Sequence, residues 1–411
     1  MSRYIPHFIV GGDSMRKLFI ILFSAALLVI GSAQLTWAQK PNVYELGTYP
    51  GGTWFATWHI NDRGVLVGLG DVPPIGSDGV GYTHTLVVPL FGSNAGEWID
   101  LDTLGGEQPK GWEEPITDIS NSGLVVSHST ALDGRMHAVA WTKETGMVDL
   151  GTLADAGDAQ YASYNSSLAM GTNKAGTLIV GQGLSVEANR GVPVVWTPSN
   201  AWKNGRLVTN WKIHKLDNAA FPELTRGVAW GVNDHGQIIG TGFNEGFTIM
   251  TAVLWNPRPD GKGWELRSLP PSPDYPFTQA YGINNRGEIV GVANSTDFSI
   301  WLPRLWKPLD KRTVYSQPTE LPLPEGGFTN CECAGINEPG DLVGDCWSDT
   351  EDLPTRWTAK DLTVAEIIKF PGSSGFSWGV NNSGIASVTY NGSKNCPADT
   401  YGSCGGATKV H

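Results

Sequence analysis

An all-β fold, a seven-bladed β-propeller, is what this sequence predicts, on three observations. One short stretch recurs seven times along the chain. Its copies lie about 53 residues apart on average, the size of one four-stranded blade. Between copies stand two further strand-like pieces, which brings each unit to four strands. A four-stranded sheet cannot hide both faces alone, so such units stack face to face. Six blades with one degenerate unit is the alternative count, and an open solenoid is a third; a solenoid needs polar caps that the sequence lacks.

The clearest copy is Tyr281-Gly282-Ile283-Asn284-Asn285-Arg286-Gly287-Glu288-Ile289-Val290-Gly291. Tyr281 and Ile283 alternate with Gly282 in the two-residue period of a strand. Asn284 to Gly287 form the turn, because Asn can bond its own backbone two residues on and Gly accepts a positive φ. Glu288 opens the returning strand. Ile60-Asn61-Asp62-Arg63-Gly64, Val232-Asn233-Asp234-His235-Gly236, Ile336-Asn337-Glu338-Pro339-Gly340 and Val380-Asn381-Asn382-Ser383-Gly384 keep this grammar. Ile119-Ser120-Asn121-Ser122-Gly123 and Thr172-Asn173-Lys174-Ala175-Gly176 are weaker copies.

The second piece ends in Trp, as in His137-Ala138-Val139-Ala140-Trp141, Ala252-Val253-Leu254-Trp255 and Arg356-Trp357. The third reads like Asp149-Leu150-Gly151-Thr152-Leu153. A strand of this third kind, near Leu46, begins the series, and no Trp strand follows the last hairpin at Gly384. The segment from Tyr401 to Val410 is expected to supply it.

Residues 1–38 are set aside as an upstream extension plus a secretory signal: Met15-Arg16-Lys17, the apolar run Leu18 to Ile30, then the small residue Ala38. Met15 is the simpler start, and an uncleaved anchor is the other reading, although the run is short for a full span. Residues 39–411 then form a single propeller domain. The formal charge is −12 for the whole chain and −14 without residues 1–38, which argues against nucleic acid and anionic lipid as partners. A secreted, extracellular or periplasmic location follows, with no stable membrane insertion after signal cleavage. The five cysteines fit disulfides in an oxidising compartment, with one left over. A loop of Asn337 to Gly340 would set Cys331 opposite Cys346, whereas a one-residue bulge would bring in Cys333 instead. A second bridge, Cys396 to Cys404, is expected to tie down the C-terminal tail. The Cys triplet has no His nearby and is not read as a metal site, and no cofactor is implied.

The units resemble the HAF repeats of secreted bacterial proteins, built from Gly-Ile-Asn-x-x-Gly, His-Ala-Phe-x-Trp and Leu-Gly-Thr-Leu-Gly-Gly in fixed cyclic order. His137-Ala138-Val139 and Leu150 to Leu153 are the matching residues of the last two motifs. The resemblance covers nearly all of residues 39–411 and implies no catalytic residue.

On a repeat scaffold a ligand site is expected where the units stop being equivalent. Immediately before the turn's Ile or Val five units have Gly, at 171, 231, 282, 335 and 379; the first two have His59 and Asp118. Side by side at the axis, these two could form an acid–base pair, or simply a buried hydrogen bond. One residue earlier come Trp58, Thr117, Met170, Trp230, Tyr281, Ala334 and Trp378. The two-residue period places them in the layer between blades. Exposed at a rim, Trp58, Trp230, Tyr281 and Trp378, with Trp112 from a loop, would instead stack on sugars. The expected function is non-enzymatic binding of an extracellular polysaccharide or a surface protein. A polysaccharide hydrolase or lyase working at the axis, and a purely structural surface protein, are the alternatives.

Overall fold

The computed structural model describes residues 43–74, 81–110, 116–203, 206–310, 313–393, 396 and 403–410. The signal segment 1–38 and Trp112 lie outside the described residues. Seven four-stranded antiparallel sheets are present among the described residues. In six of them four consecutive strands run from the axis outward. The inner strands are Phe55–Ile60, Asp118–Ile119, Ser166–Thr172, Arg226–Val232, Phe277–Ile283 and Asn330–Ile336 for blades one to six. Blade seven takes Ser374–Phe376, Ile385–Asn391 and Cys404–Lys409 from the end of the chain, and Val43–Gly47 from its start as the outermost strand. Val43 pairs with Thr408, so the two ends of the domain close the ring within one sheet. The missing strand of the last unit is therefore Cys404–Lys409.

Apolar faces of neighbouring sheets meet in continuous layers. Val126, Ala138 and Ala140 of blade two, for instance, pack with Ala169, Ile179 and Val194 of blade three. The strand tryptophans lock these layers. Trp196, Trp255, Trp306 and Trp357 are fully buried. Their indole N–H groups donate to the carbonyls of Leu150, Asp217, Pro270 and Pro322, just beyond the outer strand of the preceding blade, at 3.0, 3.0, 2.9 and 2.8 Å.

The repeated Asn has two tasks. Oδ1 of Asn381 accepts from the N–H groups of Ser383 and Ile385, holding its own turn, each at 3.0 Å. Its Nδ2 donates to the carbonyl of Asn61 in the next blade at 3.1 Å. The same link runs from Asn233 to Asn284, Asn284 to Asn337, Asn337 to Asn381 and Asn61 to Ser120. It stops at the two weak copies: Ser120 has no amide, and Asn173 Nδ2 turns to Thr177 Oγ1.

The hairpins are one residue longer than the sequence suggests. Ile336 pairs with Leu342, so the loop is Asn337 to Asp341. A bulge between Cys333 and Gly335 then adds one residue to the inner strand, and the two offsets cancel. Cys331 consequently faces Cys346 and is bonded to it, Cys396 is bonded to Cys404, and Cys333 is a buried free thiol.

Candidate functional site

The bulge recurs at Trp58, Met170, Trp230 and Tyr281, and it corrects the expected position of these rings. An extra residue breaks the two-residue alternation, so the bulged side chain no longer shares the face of the aliphatic residue after it. It points to the axis. Tyr281 of blade five meets Trp378 of blade seven with centroids 5.5 Å apart, and Trp378 meets Trp58 of blade one at 5.3 Å. Trp230 packs edge-on against Tyr281 at 5.9 Å. Contacts that skip a blade exist only across the axis. Trp58, Trp230, Tyr281 and Trp378 therefore fill the centre of the ring, with Trp58 only 5% exposed.

Above this plug, on the turn face, lies a depression of about 120 Å³ that includes His59 and Asp118. Glycine precedes the turn in the other blades because the inner strands crowd one another. A Cβ on Gly171 would lie 2.5 Å from the Trp230 carbonyl oxygen, and one on Gly335 equally close to that of Trp378. His59 bonds through Nδ1 to the equivalent carbonyl, of Thr117, at 2.7 Å. Nδ1 therefore carries the proton. Asp118 accepts from the N–H groups of Ile119 at 2.7 Å and Thr172 at 2.9 Å. The two side chains are 3.9 Å apart, too far for a hydrogen bond, and each bonds backbone instead. Lys174 reaches over the mouth to Asn382 Oδ1 at 3.1 Å, with the carboxylates of Glu338 and Asp62 at 3.6 and 3.7 Å. Ions and amides thus knit the turn face together.

The opposite face carries a larger opening. A groove of about 600 Å³ lies beside blade six, lined by Trp301, Glu332, Asp345, Trp347, Asp352 and Ser374. Its position follows from register: Glu332 is directly opposite Asp345, and Trp347 is opposite Asp352. Alternation then puts all four side chains on one face of the sheet. That face looks toward blade seven, whose short inner strand contributes Ser374; the opposite face carries the disulfide and packs on blade five. Corresponding pairs elsewhere are Ala56 with Leu69, Leu168 with Gln182, Val228 with Thr241, Gln279 with Val292 and Phe376 with Thr389. Blade six alone among these sets two carboxyl groups opposite each other.

Burial, and then the charge of Asp352, push the Glu332 carboxyl up to about 7. Burial and the charge of Glu332 hold the Asp345 carboxyl well above the usual carboxylate range. Burial, with the charges of Glu332 and Asp345 added, raises the phenol of Tyr281. Asp345 is 7% exposed, and its Oδ1 is buried without a hydrogen-bond partner. Trp301 and Trp347 of the groove lie with ring centroids 5.8 Å apart, and Phe298, outside the lining, packs on Trp301 at 5.9 Å. Phe298 is 41% exposed and held at φ 58°, which a bulky residue seldom adopts.

No protein-family model and no curated protein matches this chain. Among solved structures it is similar to the β-propeller domain of the Trilobed protease from Pyrococcus furiosus, described as having an open velcro topology. Identity is 9%, coverage is 83% of this chain and 90% of that one, and the TM-score is 0.50. The fold is a propeller. Here, however, Val43–Gly47 closes the ring onto Cys404–Lys409. The acylaminoacyl peptidase of Pyrococcus horikoshii matches at 8% identity and TM-score 0.46, over 85% of this chain and 51% of its own. A sialidase of Trypanosoma rangeli matches at 10% identity and TM-score 0.43, over 89% and 59%.

Sequence reasoning placed His59 and Asp118 side by side on neighbouring blades, and they are neighbours. It passed over Asp345, Asp352, Trp301 and Trp347. Glu332 is visible in the sequence as an acidic residue in or beside the inner strand of unit six, but the bulge decides which residue it faces.

Proposed function

We propose that this is a secreted propeller of the HAF-repeat kind that binds an extracellular polysaccharide in the blade-six groove rather than at the axis. The observation that carries the reading is the pair of rings Trp301 and Trp347 beside carboxyl groups, in an opening large enough for a sugar unit. Aromatic faces take the apolar face of a sugar ring, and carboxyl oxygens accept from its hydroxyls. The axial rings have their faces occupied by one another and are less available for stacking. The two disulfides suit an oxidising compartment, and among the described residues no helix is long and apolar enough to cross a membrane. The HAF assignment is supported by the cyclic order of turn, Trp strand and Leu-Gly-Thr strand around the ring.

The test is a titration of the mature protein against a polysaccharide panel, read by tryptophan emission and retention. Trp301→Ala or Trp347→Ala should weaken binding roughly tenfold, the loss of about 1–1.5 kcal/mol of ring contact. His59→Ala and Asp118→Asn should leave it unchanged. No retention of any polysaccharide, or loss only in the His59 and Asp118 variants, would sink the proposal.

A further inference from the structure

The groove has acceptors in excess and no cation. Among the described residues no Lys, Arg or His lies within ion-pair distance of Glu332, Asp345 or Asp352, although Arg304 and Arg356 on neighbouring strands are paired with Glu320 and Glu366. Three acidic side chains without a counter-charge, on one face of one sheet, are costly for the fold, because a desolvated carboxylate needs a paired or hydrogen-bonded partner. The unpartnered Oδ1 of Asp345 shows that this requirement is unmet inside the chain. A metal ion would be the smallest remedy. Among the described residues, however, no three His, Cys, Asp or Glu side chains are grouped so as to hold one ion, and that includes this trio. The carboxyl groups suit a cation carried on a larger molecule, which hydrogen-bonds to one or two of them directly and pairs by charge with the rest. Trp301 and Trp347, at the edge of the same groove, supply ring faces that attract both a cation and the apolar face of a sugar.

We infer that the groove selects a sugar carrying a protonated primary amine, an amino-sugar unit whose ammonium group is taken by Glu332, Asp345 and Asp352 while its ring rests against Trp301 and Trp347. The sugar half of this inference rests on the polysaccharide reading above, and the amine half rests on the carboxyl groups alone. An ammonium has three N–H donors to divide among the carboxyl oxygens that line the groove, and its charge offsets the buried Asp345 carboxyl behind them. N-acetylation removes the charge and adds bulk, so the acetylated unit is disfavoured on both counts.

The experiment is calorimetric titration of the mature protein, at pH 7.5 and low salt, with tetramers of glucosamine, N-acetylglucosamine and glucose, and with methylammonium as a bare cation. The glucosamine tetramer is expected to bind at least tenfold more tightly than either neutral tetramer. In Glu332→Gln and in Asp352→Asn that preference should fall to less than twofold, whereas Trp301→Ala should weaken all three tetramers together. The Asp352 variant sits at the exposed rim, so it keeps the test valid if a change at Glu332 disturbs folding. Equal binding of the three tetramers would overturn the amine inference and leave the sugar reading standing. Binding of methylammonium with no tetramer bound would do the reverse. A glucosamine preference that survives both carboxyl variants would place the cation elsewhere and overturn the inference, and no binding at all would remove both.

Discussion

Asn381 shows how much one side chain of the repeat carries. Replacing it with Ala removes two acceptor bonds to its own turn and the donor bond to Asn61, leaving buried backbone groups unmet. Asn381→Ala should therefore cost roughly 2–4 kcal/mol of stability. Asn173 is the internal control. Its Oδ1 accepts from the N–H groups of Thr177 and Leu178, but its Nδ2 stays within its own turn. Asn173→Ala should cost measurably less. Urea denaturation of the two variants checks the difference; equal midpoints would mean that the link between blades contributes nothing. The turn chemistry of this Asn was legible in the sequence, because Asn-x-x-Gly has a local cause. Its second bond was not, since the carbonyl it reaches lies 44 to 59 positions away along the chain or, for Asn381 and Asn61, at the other end of it.

At the scale of the element, the blade-six sheet holds the clearest pH dependence. Glu332 and Asp345 keep their protons to higher pH in the folded chain than in the unfolded one. Between the ordinary carboxyl range and pH about 7 the folded state thus binds more protons than the unfolded state, and stability falls as pH rises through that window. Thermal melts at successive pH values should show the decline. In Glu332→Gln the slope should flatten and the melting temperature above pH 7 should rise by several degrees, a gain in stability at the expense of the groove. An unchanged profile would mean that the pair is well solvated. This element also marks where sequence reasoning ran short. Four strands, their order and the Cys396–Cys404 disulfide were legible from turns and spacing, while the partner of Cys346 stayed open between Cys331 and Cys333. The bulge was not: Cys331 found Cys346 only because a longer loop and an extra bulge residue offset each other, and the equivalent bulges in blades one, four and five sent Trp58, Trp230 and Tyr281 to the axis.

For the whole molecule, the ring has two unlike faces. On the turn face, links between blades and the reach of Lys174 leave an opening of about 120 Å³; on the other, the repeat is broken at blade six and a groove of about 600 Å³ remains. Stacked units close the ring, and the proposed binding site lies where one unit departs from the rest. The sequence showed departures at His59 and Asp118, and it did not single out Glu332. Their surroundings separate them, because the first two find backbone partners and the third faces another carboxyl group. Hydrogen–deuterium exchange with and without glucosamine tetramer tests this division most directly. Slowed exchange is predicted at Trp301, Asp345 to Asp352 and Ser374, with no change at His59 to Asp62, Asp118 to Asn121 or Lys174. Protection confined to the turn face would contradict the account.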